Sequence, residues 1–139
     1  MSAEFQLQAA IVALFEADDA MLALLGGKGR ILDFAPENQP MPFIEFGEHN
    51  TDEFDTTPTE TSEGYGREHR ILLRIFSDYE GKKEAADIIE RATQLLRDQP
   101  LTLTGYSNAT IRYVNSSIAR EPDGLAYMGI LILRAVTEE

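Results

Sequence analysis

The stretch LAYMGILILRAV, residues 125–136, carries large apolar side chains on both faces of an extended strand. A strand that is apolar on both sides is typical of the interior of a sheet. It follows TIRYVNSSIAR, residues 110–120, and the turn EPDG, in which Pro122 presets φ and Gly124 closes the turn. The sequence therefore predicts a C-terminal hairpin whose second strand lies at the centre of a sheet.

Further strands are predicted upstream of this hairpin. Residues 30–34 form a short edge strand, because the prolines around them forbid continuous pairing. Residues 43–48 alternate between two faces and form another strand, and residues 67–77 alternate over a greater length. In that last strand one face consists of His69, Ile71, Leu73 and Ile75, and the other of Arg70, Leu72, Arg74 and Phe76.

Two helical regions complete the pattern. Residues 3–25 carry apolar side chains at helical spacing, with a break near Asp18 and a second short helix over 20–25. The apolar stripe of the first helix consists of Phe5, Leu7, Ala10, Ile11, Leu14 and Phe15. Residues 77–100, SDYEGKKEAADIIERATQLLRDQP, hold the clearest helix of the chain, which ends before Pro100.

The order helix, strands, helix, hairpin predicts an α+β fold, in which a mostly antiparallel sheet has two main helices packed on one face. The length of 139 residues is usual for one domain, so residues 1–139 are expected to fold as a single unit with a long acidic loop or arm at 47–66. The absence of cysteine excludes disulfides, thiolate metal sites and a cysteine nucleophile. No apolar run approaches the roughly 20 residues of a membrane span, and the start lacks a basic signal-peptide segment, so we expect a cytosolic protein.

The net charge is −12, from 24 acidic and 12 basic residues. This balance argues against a protein that wraps nucleic acid, since phosphate binding needs clustered Lys and Arg. Three interpretations remain open at this point. The charge serves solubility alone, or it repels DNA that passes close by, or it mimics DNA for a basic partner.

The segment GEHNTDEFDTTPTETSEGYG, residues 47–66, is a long polar tract with six acidic residues and no Lys or Arg. The alternatives are a disordered linker, a passive loop, and an extended hairpin arm or flexible loop that orders against a partner. Long loops inside a compact domain are uncommon and often functional, which favours the arm. The candidate residues for contact with a partner are Glu48, Asp52, Glu53, Phe54, Asp55, Glu60, Glu63 and Tyr65.

The sequence holds no catalytic constellation that we assign. The two histidines, His49 and His69, lie at opposite ends of the tract and would meet if its ends pair as a hairpin. A zinc site would need a third ligand, which Asp52 or Glu48 could supply. The alternative, two strand-end histidines on a solvated face, is favoured because known two-histidine motifs have a fixed spacing on one element. We therefore predict no metal, no cofactor and no enzymatic activity.

Three stretches together resemble a known family. They are QPMPFIEFGE at 39–48, SDYEGKKEAADIIERATQLL at 77–96 and REPDGLAYMGILILRA at 120–135, and the segment 7–40 is in keeping with them. Through this order, over nearly the whole chain, the sequence resembles the small tail-completion or tail-terminator proteins of long-tailed phages, prophages and gene transfer agents.

The resemblance implies a protomer that assembles into a hexameric ring at the head-proximal end of a tail tube. Such a ring stops tube polymerisation and joins the tail to the head connector, while DNA passes through its lumen without specific binding. The implied partners are other copies of the chain, the tail tube protein and the head–tail connector proteins, with no membrane. The implied location is the tail of a virion or phage-like particle, assembled in the bacterial cytoplasm. The family has no catalytic residues to carry over.

Two other functions remain as alternatives. The first is a free acidic binding protein, such as a DNA mimic that occupies a basic partner. The second is a small metal-dependent hydrolase that uses His49, His69 and acids of the tract.

Overall fold

The computed structural model describes residues 2–54, 66–97 and 99–138. Its helices are α1 (Ala3–Glu16), α2 (Asp19–Leu25) and α3 (Lys83–Leu95). Its strands are β1 (Ile31–Leu32), β2 (Phe43–Phe54), β3 (Gly66–Ser77), β4 (Gln99–Pro100), β5 (Asn108–Arg120) and β6 (Tyr127–Glu138). The strands form one six-stranded sheet in the order β1-β2-β3-β6-β5-β4. The predicted α+β fold is confirmed.

Strand β6 lies at the centre of this sheet, as its two apolar faces predicted. It pairs antiparallel with β3 on one side and with β5 on the other, along the whole of its length. The strand begins at Tyr127, two residues later than predicted, and Leu125 before it is exposed. Strand β1 is an edge strand, as predicted, but it pairs parallel with β2, which makes the sheet mixed. The edge strand β4 was not predicted.

The helices pack on one face of the sheet and enclose the core. In α1 the fully buried side chains recur every four residues, at Ala3, Leu7, Ile11 and Phe15. The prediction that Phe5 belongs to this stripe is wrong, since 56% of its surface is exposed. At about 100° per residue, Phe5 lies about 200° around the helix from both Ala3 and Leu7.

Strand β6 lets helix α3 approach closely through a glycine. A Cβ on Gly129 would lie only 2.9 Å from Ile89 Cδ1 of α3 and 3.5 Å from Ile75 Cβ of β3. The contact with Ile89 is closer than van der Waals packing allows, so a larger residue would force the Ile89 side chain to shift. Strand β3 ends at Ser77, as predicted, and helix α3 begins at Lys83, within the stretch predicted to hold it.

Helix α2 is fixed at its start by a carboxylate with two functions. Asp18 Oδ2 accepts a hydrogen bond from the backbone N–H of Met21 at 2.8 Å, which caps the helix. The same carboxylate accepts a hydrogen bond from Arg91 Nε of α3, also at 2.8 Å. At the other end, Gly26 adopts a φ of 86°, the left-handed conformation that ends helices. None of the three helices in the described part of the chain has the length and apolar character needed to span a membrane.

Candidate functional site

The predicted arm begins as a regular β-hairpin. Strand β2 continues to Phe54 and β3 starts at Gly66, so residues 47–54 of the tract are part of the sheet. The two strands pair antiparallel as far as Phe54 and Gly66. The predicted strand 43–48 is therefore too short, because a polar strand gives no apolar signal along its outer half.

A bulge in β2 decides which side chains of the tract face the helices. The pairing with β3 shifts between Phe46 and His49, at Gly47 and Glu48. An inserted residue reverses the alternation of side chains beyond it. A Cβ on Gly47 would lie 2.6 Å from Leu72 Cδ2, so glycine is the residue that admits this neighbouring side chain.

Beyond the bulge, His49 and Thr51 face the helices and Asp52 faces the opposite side. This follows from the register, in which His49 pairs with Ile71 and Thr51 with His69, both on the buried side of β3. Glu48, Asp52 and Glu53 are exposed at the surface. The predicted contact residues Asp55, Glu60, Glu63 and Tyr65 lie outside the described residues, and so does the conformation of the side chain of Phe54.

The two histidines do meet, as hairpin pairing requires. His49 Nε2 lies 2.9 Å from His69 Nδ1, and His69 Nε2 lies 3.0 Å from Thr137 Oγ1. Thr51 Oγ1 donates to Glu4 Oε1 at 3.0 Å and lies 3.3 Å from His69 Nδ1. These hydrogen bonds thus link helix α1, the β2–β3 hairpin and the central strand β6 through polar side chains.

The expectation of a solvated histidine pair is wrong, because His69 is fully buried and His49 is partly buried. Burial, and after it the neighbouring His49, lower the pKa of His69 from 6.5 to about 4. Burial also lowers the pKa of His49. The pair is therefore neutral at pH 7 and acts as a polar connection within the core. The signal was present in the sequence, since His69 shares a face with Ile71 and Leu73.

The hypothetical zinc site is not formed by these residues. Among the described residues, no group of three or more His, Cys, Asp and Glu side chains could hold a metal ion. Asp52 lies on the opposite face of the sheet from the histidines, because the bulge sets the alternation of β2. The ring nitrogens that face each other in the pair are also engaged in hydrogen bonds.

The face of the sheet opposite the helices, here called the open face, carries a mixed surface. Directly paired positions place Arg70 of β3, Arg134 of β6 and Arg112 of β5 side by side in one row. Leu72 and Ile132 form the adjacent row and are partly exposed. Sequence reasoning missed this arrangement, because the residues that lie side by side on neighbouring strands can be identified only when the strand register is known.

One carboxylate lies in the row next to these arginines, where Glu68 pairs with Asp52 and Val136. Glu68 Oε1 accepts a hydrogen bond from Arg134 Nε at 2.8 Å. That bond lowers the pKa of Glu68, and the charges of Arg134, Arg70 and Arg112 lower it further. Within the described part of the chain, the row makes no other ion pair than Glu68–Arg134. The row therefore keeps an excess of positive charge in a strongly acidic protein.

The described residues form a small α+β domain with one helix-covered face and one open face that carries the row of arginines. The chain belongs to the family of the tail completion protein gp17, whose family model matches residues 9–138. It is therefore a structural protein that completes the tail of a phage or phage-like particle, as the resemblance of its sequence indicated.

Solved structures with a similar fold include the following two. A chain from the virion of a native gene transfer agent particle has a TM-score of 0.82 at 20% sequence identity, over 99% of this chain and 98% of that chain. The gp17 protein of bacteriophage SPP1 has a TM-score of 0.58 at 21% identity, over 96% of this chain and 89% of that one. A search of curated proteins found no match.

Proposed function

We propose that this protein forms a ring, hexameric as in the family it resembles, at the head-proximal end of the tail tube. The ring stops tube polymerisation and joins the tail to the head connector, and DNA passes through its lumen without specific binding. The partners are other copies of the chain, the tail tube protein and the connector proteins. Assembly takes place in the bacterial cytoplasm, and the protein catalyses no reaction.

The observation that carries this proposal is the β2–β3 hairpin, which extends the sheet into the acidic tract. Its strands remain paired as far as Phe54 and Gly66, and β6 pairs with β3 along the same length, so residues 55–65 connect two strands at the end of the sheet. A connecting segment in this position is suited to contacts between subunits, because it reaches a neighbour without disturbing the core. The tract residues from Glu48 to Tyr65 are the proposed contact region.

The charge of the chain supports the passage of DNA. With a net charge of −12, most of the surface repels phosphate, and a ring of six copies multiplies that charge. The DNA-mimic alternative is less well supported, because Arg70, Arg112 and Arg134 interrupt the acidic surface that a basic partner would need. The hydrolase alternative lacks a metal-binding cluster in the described residues.

Replacing residues 55–65 by a two-residue Asn-Gly turn tests the role of the tract, because it keeps the paired strands and closes them by a favoured hairpin turn. The expected result is a folded protein that no longer forms rings and no longer limits tail length. A matched control replaces the acids at 55, 60 and 63 by their amides and keeps the length. Intact rings on size-exclusion chromatography and in negative-stain images of the shortened variant would refute the role of the tract.

A deletion of the gene tests the wider proposal. Without the protein, tails are expected to be overlong and separate from heads in electron micrographs of the particles. Tails of normal length that still join heads would refute the proposed function as a whole.

A further inference from the structure

The sheet ends on each side in a long strand whose outer edge is largely uncovered. Strand β1 pairs with β2 only at Ile44 and Glu45, so within the described residues no strand covers β2 from 46 to 54. Strand β4 pairs with β5 only at Thr110 and Ile111, so no strand among the described residues covers β5 from 112 to 120. Uncovered edges present unpaired N–H and C=O groups and readily pair with another chain.

The two edges carry opposite charges. Strand β2, FIEFGEHNTDEF, contains four acidic residues and no Lys or Arg. Strand β5, NATIRYVNSSIAR, contains Arg112 and Arg120 and no acidic residue. Each edge would therefore repel the same edge of another copy and attract the opposite edge of that copy.

Like charges face each other inside each single copy. Asp52 of β2 pairs directly with Glu68 of β3, and Arg112 of β5 pairs directly with Arg134 of β6. Directly opposed like charges destabilise a sheet. Glu68 and Arg134 neutralise each other, which leaves Asp52 on one edge and Arg112 on the other without an ion pair among the described residues. Both side chains belong to the open face.

The direction of the strands also fits a repeated contact. Each neighbouring pair from β2 through β3 and β6 to β5 is antiparallel, so β2 and β5 run in opposite directions. A copy placed beside the first in the same orientation therefore brings its β5 antiparallel to β2. Such a contact uses two different surfaces, and contacts of that type close into rings when the rotation between copies allows it.

We propose that β2 of each copy pairs antiparallel with β5 of the next copy, with Asp52 against Arg112 across the new strand pair. This inference rests on the ring proposed above and names the surfaces that build it. The open faces of all copies then join into one continuous sheet surface. The acidic edge of the neighbouring copy neutralises positive charge that the arginine row does not neutralise within its own copy.

Cysteine pairs test this contact in particles, because the natural chain has no cysteine. Asp52 and Arg112 of one copy are separated by β3 and β6, at about 14 Å for three strand spacings. A disulfide needs Cα atoms within about 7 Å, so a bond between the substituted positions must join two copies. Asp52→Cys with Arg112→Cys is expected to give a ladder of covalent multimers on non-reducing gels.

A second pair keeps the charges of both edges. Asn50→Cys with Asn115→Cys lies on the same open face and is expected to give the same ladder. The control pairs Asp52→Cys with Glu90→Cys on the exposed side of α3 and is expected to stay monomeric on the gel. Failure of both edge pairs to cross-link in particles that contain the protein overturns the inference. If such particles show rings in electron micrographs, the ring survives and only this interface is rejected.

A charge exchange gives an independent measurement. Asp52→Lys alone and Arg112→Glu alone are each expected to lower the yield of head-joined tails by at least about tenfold, because each places like charges across the contact. The variant with both substitutions restores opposite charges between copies and is expected to recover most of that yield. A double variant no better than either single variant contradicts the pairing of Asp52 with Arg112.

Discussion

The helix-covered face and the open face are formed by the same strands, yet their side chains are buried to different extents. On the covered face, Leu73, Leu131 and Leu133 are fully buried beneath the helices. On the open face, Leu72 and Ile132 are only partly buried and lie beside a row of arginines. The aliphatic content of the two faces is similar in β6, so hydrophobicity alone does not separate them. The covered face is complete within one chain, whereas the open face keeps aliphatic side chains that the chain itself covers only in part.

The largest expected difference between the faces is in stability. Leu73→Ala removes a fully buried side chain and is expected to lower the free energy of unfolding by about 2–5 kcal/mol. Leu72→Ala changes the same residue type one position earlier, on the open face, and is expected to cost about 1 kcal/mol or less in the isolated chain. Urea denaturation of both variants measures the contrast. Equal losses would mean that the open face is as complete as the covered one.

The next effect is a dependence on pH that belongs to the covered face. Because the pKa of His69 is about 4 in the fold and 6.5 when unfolded, the unfolded chain binds the proton more tightly. Stability is therefore full above pH 6.5 and falls as the pH decreases towards 4, with a loss of roughly 2 kcal/mol at pH 5. Urea denaturation at pH 7 and pH 5 measures this loss.

The control for this pH dependence is His69→Gln, which is less stable at pH 7 and is expected to lose much less between pH 7 and pH 5. The carboxylates of Asp18 and Glu68 have lowered pKa values, so their contribution disappears only at still lower pH. A wild-type chain that is equally stable at both pH values would show that the histidine pair is accessible to protons in the fold.

Glycine substitutions sharpen the comparison at a smaller scale. Gly129→Ala would press against Ile89, a buried side chain of α3, and is expected to cost about 1–3 kcal/mol. Gly47→Ala would also meet close neighbours, Leu72 and Arg74, but these side chains lie on the open face and have room to move. Its expected cost is below about 1 kcal/mol. Thermal unfolding of the two variants, at the same protein concentration, ranks them. A larger loss of stability in Gly47→Ala than in Gly129→Ala would mean that side chains pack more rigidly on the open face than on the covered face.

The sequence predicted the elements whose signals are local. The centre of the sheet followed from the two apolar faces of β6, and the end of α2 followed from the glycine at position 26. The helix stripe of α1 was mostly correct, and Phe5 was misplaced because a three-and-four spacing includes positions at the margin of the stripe.

The remainder depended on pairing, which the sequence does not encode locally. The outer half of β2 is a strand because β3 lies beside it, and its polar residues gave no apolar alternation. The burial of His69 required the helices to cover its face, and the row of arginines required the register of three strands. The bulge at Gly47 and Glu48 places His49 on the covered face, where His69 of β3 also lies, and Asp52 on the open face. No residue type in β2 indicates this in the sequence.

Amide hydrogen exchange, compared between the free chain and the chain in assembled particles, tests most directly whether the sheet edges and the open face serve contacts between copies. Assembly is predicted to slow exchange by at least about tenfold at residues 46–54 and 112–120, with little change in helices α1 and α3. Protection confined to the helices, with both strand edges unchanged, would contradict the account.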